Sequence, residues 1–240
     1  MCTATWLMSD QGYELFFNRD ERRTRKPALP PTLRELDGVK FLAPTDGDFG
    51  GSWIGVNEFG LALGLLNWYP MATAADTLSG AQQLSRGLLL ISLMDQRSPD
   101  DIARVLWRKK LDAYPPFLLL ILAPRLKPLL VKWDGEQVSS AINPTPPVTT
   151  SSFDTANVIR AREERFAALG RLGTRELKRF HFSRDPNGDA YSVCMSRPDA
   201  QTVSFSHVIV TADRIEFSYS PRTADGGFGP VASLSCPRRN

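Results

Sequence analysis

Met1-Cys-Thr-Ala-Thr-Trp-Leu-Met8, then Ser9-Asp-Gln-Gly12, then Tyr13-Glu-Leu-Phe-Phe17 running into Asn18-Arg-Asp-Glu21, is the stretch that decides the fold. Two apolar, strand-like runs flank four residues with turn chemistry, the pattern of a β-hairpin. An antiparallel return carries Asn18 to Glu21 back beside Cys2. Removal of Met1 would leave a single residue with a thiol and a free α-amine. Their unperturbed pKa values are near ~8.5 and ~7.7–8.0, so the amine can take the thiol proton and no histidine is required. The alternative is that Cys2 is a small buried apolar residue, the usual fate of a free cysteine.

Phe41–Ala43, Trp53–Val56 and Leu61–Asn67 read as further strands, apolar on successive positions as in sheets covered on both faces. The centre reads as helical. Ser79–Gln96 has apolar residues at Leu84, Leu88, Ile91 and Met94, and Ser98-Pro-Asp-Asp101 starts a second helix with an N-cap serine and a first-turn proline. Strands return at 117–123, 129–133 and 137–141. A third helix, 155–169, is expected to carry Arg160, Arg162, Glu163, Glu164 and Arg165 on its polar face. Strands at 191–195, 202–210 and 215–219 close the chain. Strands, helices, strands, helix and strands suggest an α+β arrangement, with antiparallel sheets inside and helices outside. A single domain over 1–240 is expected.

Composition excludes several functions. With 42% hydrophobic and 23% charged residues the chain is ordinary globular material, and a net charge of +3 gives no nucleic-acid footprint. No run reaches the ~18 apolar residues of a membrane span, and no secretory signal is legible, so a cytoplasmic location is expected. Three scattered cysteines, Cys2, Cys194 and Cys236, form neither a disulfide framework nor a zinc motif. The only histidines, His181 and His207, lack metal-ligand spacing, so neither metal nor cofactor is expected. No Gly-x-Ser-x-Gly elbow or phosphate-binding glycine motif is present. The expected partner is a small-molecule ligand or substrate, with the oligomeric state open.

If the chain is a hydrolase, Cys2 is its strongest nucleophile. Arg19 would favour the thiolate and Asp20 could hold the amine, or the Arg19–Arg22 run is an exposed ion-pair ladder. Asn67, polar at the end of an apolar strand, is either a turn residue or a buried oxyanion donor. Gly47-Asp-Phe-Gly-Gly-Ser-Trp53 is either a tight loop beside a pocket or a plain connector.

Met1-Cys-Thr-Ala-Thr, Phe17-Asn-Arg-Asp-Glu21, Gly51-Ser-Trp-Ile-Gly-Val-Asn57 and Leu66-Asn67 together resemble the NRDE-motif family, also called the transport and Golgi organisation family. A weaker match falls at Ser196–Val203. That family resembles the N-terminal nucleophile hydrolases of the bile-salt hydrolase and penicillin V acylase branch. The resemblance implies a four-layer αββα sandwich and cleavage of a linear amide, or acyl transfer, by Cys2. It implies site roles for Asn18, Arg19, Asp20 and Asn67, and for Arg197 as a further arginine. The hydrolases' second oxyanion asparagine falls near Thr149-Thr-Ser-Ser152, where only hydroxyls stand. The alternative it carries is a non-catalytic binding or trafficking protein, for haem or a lipid-like ligand. Phe49, Trp53, Trp68 and Tyr69 would then line the pocket.

Overall fold

A computed structural model describes residues 2–69 and 83–239. In chain order the strands β1 (Cys2–Met8), β2 (Tyr13–Arg22), β3 (Leu29–Leu36), β4 (Val39–Thr45), β5 (Ile54–Asn57) and β6 (Ala62–Asn67) precede helices α1 (Arg86–Ile91) and α2 (Pro99–Arg108). Strands β7 (Phe117–Leu122), β8 (Leu129–Trp133), β9 (Val138–Ile142) and β10 (Val148–Thr150) follow, then α3 (Thr155–Ala167) and α4 (Thr174–Phe182). The chain finishes with β11 (Ala200–Val210), β12 (Arg214–Pro221) and β13 (Ala232–Pro237).

Two antiparallel sheets result. One runs β10-β1-β2-β11-β12-β13, and the other is a meander from β3 to β9. Strand alternation divides their side chains among three apolar layers. Cys2, Ala4, Trp6, Leu15 and Phe17 meet Leu42, Ile54, Val56, Leu66 and Leu120 between the sheets. Phe16, on the opposite face of β2, packs with Leu177 of α4, Phe205 and Phe166 of α3. Leu63, Leu65, Leu119 and Ile121 carry Leu89 and Leu90 of α1 and Ile102 and Leu106 of α2. The fold is an α+β sandwich of helices, sheet, sheet and helices.

The hairpin forms as its sequence dictates. Ser9 N–H donates to the Gly12 carbonyl at 3.0 Å, and Ser9 Oγ accepts from Gly12 N–H at 3.2 Å. At α2, Ser98 Oγ accepts from Asp101 N–H at 3.2 Å, with Pro99 in the first turn.

Other elements differ from their sequence-based expectations. The helix expected over 79–96 is α1, Arg86–Ile91, with Ser85 as its N-cap; residues 79–82 lie outside the described residues. Its buried side chains are Leu89 and Leu90, while Leu84 and Leu88 face solvent. Tertiary packing sets that phase, because Ser52 N–H donates to the Gly87 carbonyl at 3.1 Å and pins α1 against the loop before β5. The strand expected at 191–195 is a turn-rich segment. Strand β11 pairs with β12 only from Ser204 onward, and the segment meets its start at Met195, whose carbonyl accepts from Thr202 N–H at 2.9 Å, while Cys194 N–H turns away to the Ser183 carbonyl at 2.9 Å, so no ladder forms. Conversely, the proline-rich passage contains the edge strand β3, which takes Pro30 and Pro31 at a break in its register with β4. Helix α4 and strand β13 have no counterpart in the sequence-based reading. Arg162, expected on a solvated face of α3, is buried.

Candidate active site

The β1–β2 ladder pairs Cys2 with Arg19, and β10 sets Thr150 on the other side of Cys2. Cys2 N–H donates to Thr150 Oγ1 at 3.2 Å. Met1 lies outside the described residues. Cys2 opens on a cleft of about 330 Å³. Arg19, Asp20, Glu21 and Arg25 form its wall from the first sheet's side, and Asp46, Phe49, Ser52, Trp53, Asn67 and Arg86 that from the second sheet and α1. The glycine-rich 47–53 segment is therefore part of the cleft wall.

Arg19 is immobilised on both sides. Its guanidinium stacks 4.1 Å from the Trp53 ring centroid, pairs with Asp46, and reaches Glu21 at 3.3 Å. Arg25 binds Asp46 and Asp48, each at 2.7 Å, and lies over Phe49 at 4.6 Å. Burial works against the Asp46 carboxylate, but the Phe49 amide, Arg19 and Arg25 outweigh it and hold its pKa below the usual value. Arg86, at the start of α1, donates to the Pro116 carbonyl at 2.8 Å. Burial lowers its pKa, opposed by Tyr69, Glu21 and Cys2. Burial pushes the Cys2 thiol up to about 11; the N-terminal ammonium is the largest influence against it, the Asp20 charge adds to the rise, and Arg19 weakly opposes it.

Asp20 accepts from Thr202 Oγ1 at 2.6 Å and faces Arg162 Nη1 at 3.7 Å. Asn67 stands at the end of β6 in the cleft wall, its Nδ2 3.4 Å from Tyr69 Oη.

The remaining expected residues are placed elsewhere. Asn18 points to the helix-facing side of β2, where Nδ2 donates to the carbonyls of His181 (2.8 Å) and Val193 (3.1 Å). It is off the cleft because neighbours on a strand face opposite ways. Arg197 pairs with Asp199 at 2.8 Å and lies 5.4 Å from the Phe153 ring centroid, outside the cleft lining. Phe49 and Trp53 line the cleft, whereas Trp68 and Tyr69 do not. Trp68 packs beneath Lys132 at 5.0 Å, and Tyr69 packs with Met195 and Ala200. At the hydroxyl-rich segment, Thr150 bonds to the Cys2 nitrogen and Ser151 Oγ donates to the Phe153 carbonyl at 2.7 Å.

Both histidines pack around Phe16 on the helix-facing side. His181 is tied to Asn18 Oδ1 and Thr5 Oγ1, and burial drives its pKa down to about 3. His207 pairs with Glu14 at 2.8 Å. Among the described residues no three His, Cys, Asp or Glu side chains converge on a metal site, and no helix is long and apolar enough to cross a membrane.

Asp46, Arg86 and Arg162 escaped sequence reasoning. A signal existed for Arg162: it stands four residues after Val158, so the two share one helix face, and Val158 is buried. Asp46 and Arg86 have no comparable local signal.

The family model of Transport and Golgi organisation 2 matches residues 1–159. No curated protein matches the chain. Among solved structures, the N-acylethanolamine-hydrolyzing acid amidase ortholog of Caenorhabditis elegans aligns with a TM-score of 0.63 at 11% identity, over 97% of this chain and 100% of that one. Penicillin V acylase from Agrobacterium tumefaciens aligns at 0.58 with 14% identity, over 98% and 86%. The C2A mutant of conjugated bile acid hydrolase from Clostridium perfringens aligns at 0.55 with 14% identity, over 98% and 92%. At these identities the likeness is one of fold, that of the N-terminal nucleophile hydrolases.

Proposed function

We propose that this chain, which belongs to the Transport and Golgi organisation 2 family, is an N-terminal cysteine hydrolase that cleaves a linear amide or transfers its acyl group. The observation that carries this reading is Cys2 itself, at the head of a central strand and open to a cleft that also holds Arg19 and Asn67.

Removal of Met1 turns the Cys2 nitrogen into a free amine 3.2 Å from Thr150 Oγ1. The amine takes the thiol proton as sulfur bonds to the substrate carbonyl carbon. The carbonyl oxygen becomes the oxyanion, which Asn67 Nδ2 stabilises as a donor. The C–N bond then breaks, the ammonium returns its proton to the departing amine, and a thioester remains on Cys2. Water adds with the same amine as base, releasing the acid and restoring the thiol. When an acceptor amine attacks in place of water, the outcome is acyl transfer. Removal of Met1 brings the N-terminal ammonium, which already opposes the burial that holds the thiol high, onto residue 2 itself.

The test is intact mass followed by activity. Mature protein should begin at Cys2, label there faster than at Cys194 or Cys236 with a small electrophile, and hydrolyse members of an N-acyl amide panel. Cys2→Ala should abolish turnover. Retention of Met1, or turnover that survives Cys2→Ala, sinks the reading.

One feature favours a second reading, a non-catalytic carrier of haem or a lipid-like ligand. Hydroxyls stand where the hydrolases have a second oxyanion asparagine, while Arg25, Phe49 and Trp53 give the cleft cationic and aromatic walls. Saturable haem binding that persists in Cys2→Ala, in a protein without turnover, supports it. Absence of saturable binding removes it.

A further inference from the structure

Helix α3 carries a guanidinium that has no place on a solvated face. Arg160, Glu163 and Glu164 are exposed, but Arg162 is 1% exposed. An unpaired cation is strongly disfavoured away from water, so the side chain persists there only with partners. Those partners converge on the neighbours of Cys2. Arg162 Nη1 donates to Thr3 Oγ1 at 2.9 Å and Thr149 Oγ1 at 3.0 Å, and faces Asp20 Oδ2 at 3.7 Å. Its Nη2 donates to the Ala190 carbonyl at 3.2 Å.

Three of these contacts, Thr3, Thr149 and Asp20, are each one residue removed from the reacting centre. Thr3 follows Cys2, Thr149 precedes Thr150, and Asp20 follows Arg19, the ladder partner of Cys2. Thr3 and Thr149 share a 2.8 Å hydrogen bond, and Thr149 Oγ1 donates back to the Cys2 carbonyl at 3.3 Å. The guanidinium thus pins β1 to β10 on the far side of the sheet from the cleft.

We propose that Arg162 is a positioning residue for the Cys2 centre: it balances the Asp20 charge beneath the strand and clamps Thr3 to Thr149, so that the thiol and amine of residue 2 keep their register. It touches no substrate. The proposal rests on the reading of Cys2 as a nucleophile, but its measurable consequence needs no turnover. The charged groups that act on this centre are the N-terminal ammonium, Arg19 and Asp20 from β2, Arg86 from α1 with Glu21 beside it, and Arg162 from α3, with Arg165 and Arg197 as like charges around Arg162. Loss of the Arg162 charge leaves Asp20 less compensated beside the thiol, which disfavours the thiolate.

The experiment follows iodoacetamide alkylation of Cys2 against pH, in protein freed to begin at Cys2 by cleavage of an N-terminal tag. Arg162→Met should raise the alkylation midpoint by about one pH unit, whereas Arg162→Lys, which keeps the charge, should hold it near wild type. Asp20→Asn should move the midpoint down. A purely structural Arg162 would lower thermal stability in both Arg162 variants and leave both midpoints unmoved, which overturns the proposal. Should Arg162→Met fail to fold, Arg162→Lys and Asp20→Asn still decide: a full-unit rise in the first, or no fall in the second, overturns it. Wild type that hydrolyses no amide, combined with the expected midpoint shifts, removes the hydrolase reading and leaves the positioning role standing.

Discussion

Arg19 is the ladder partner of Cys2, and its guanidinium is held 4.1 Å from the Trp53 ring centroid with Asp46 as counter-ion. The cation therefore acts on the thiol from a fixed direction, yet burial outweighs it and the thiol sits at about 11. Protein that retains Met1 should alkylate at Cys2 with a midpoint near that value. Removal of Met1 moves the N-terminal ammonium, which already opposes burial, onto residue 2 itself and should lower the midpoint further, by about one unit. A thiol with a raised folded pKa binds its proton more tightly when native. Stability of the Met1-retaining protein should therefore fall as pH rises from about 9 to about 11. Alkylation rates and thermal melts across that range check both statements.

Asn67 is partly exposed at a strand end, with Tyr69 as its side-chain hydrogen-bond partner. Asn67→Ala should leave the melting temperature nearly unchanged and lower kcat by about 10²–10³, the usual loss for one oxyanion donor. A drop confined to KM would assign Asn67 to ground-state binding instead.

His181 is buried and neutral, with a folded pKa of about 3 against an ordinary 6.5. The unfolded chain gains a proton below 6.5 that the native chain refuses. Stability should therefore decline as pH falls from 6.5 toward 3, with a slope approaching ~1.4 kcal/mol per pH unit from this group. His181→Gln should be less stable at pH 8 by about 2 kcal/mol, and the gap should narrow on acidification. Urea melts at stepped pH measure it; a constant gap would mean His181 plays no part.

Asn57 explains much of the Gly51–Asn57 motif. Its Nδ2 donates to the Met94 and Gln96 carbonyls at 3.0 and 2.7 Å, and its Oδ1 accepts from the Phe59 and Leu61 amides, both at 3.1 Å. Asn57→Ala leaves the buried Met94 carbonyl and Leu61 amide, and the half-buried Gln96 and Phe59 groups, without these partners and should cost about 3 kcal/mol, read as a lowered denaturant midpoint.

A methyl group at Gly51 would lie 2.6 Å from the Leu88 nitrogen, in the contact that seats α1 beside the cleft. Gly51→Ala should displace α1 and impair ligand binding in the cleft beyond its effect on stability. Ligand affinity compared with melting temperature separates the two.

The amino-acid sequence makes the β1–β2 hairpin legible and brings Asn18 to Glu21 back beside Cys2, while the structure picks Arg19 out of those four as its ladder partner. Only a four-residue turn separates two runs of β-forming residues, which makes an antiparallel return the natural pairing. The same local chemistry made the start of α2 legible through Ser98 and Pro99. Alternation also set the limit of that reading, since Asn18 and Arg19 are neighbours in the motif and opposed in space.

The surroundings of Cys2 come from long-range packing. Asp46 reaches Arg19 across 27 residues, and Arg162 reaches Thr3 across 159. A charged residue looks the same in sequence whether water or a distant carboxylate solvates it, so Arg162 read as surface. The cleft is likewise built where β1 and β2 of one sheet meet β6 and α1 packed on the other. Layer packing brings those walls together, and no local preference of the chain encodes it.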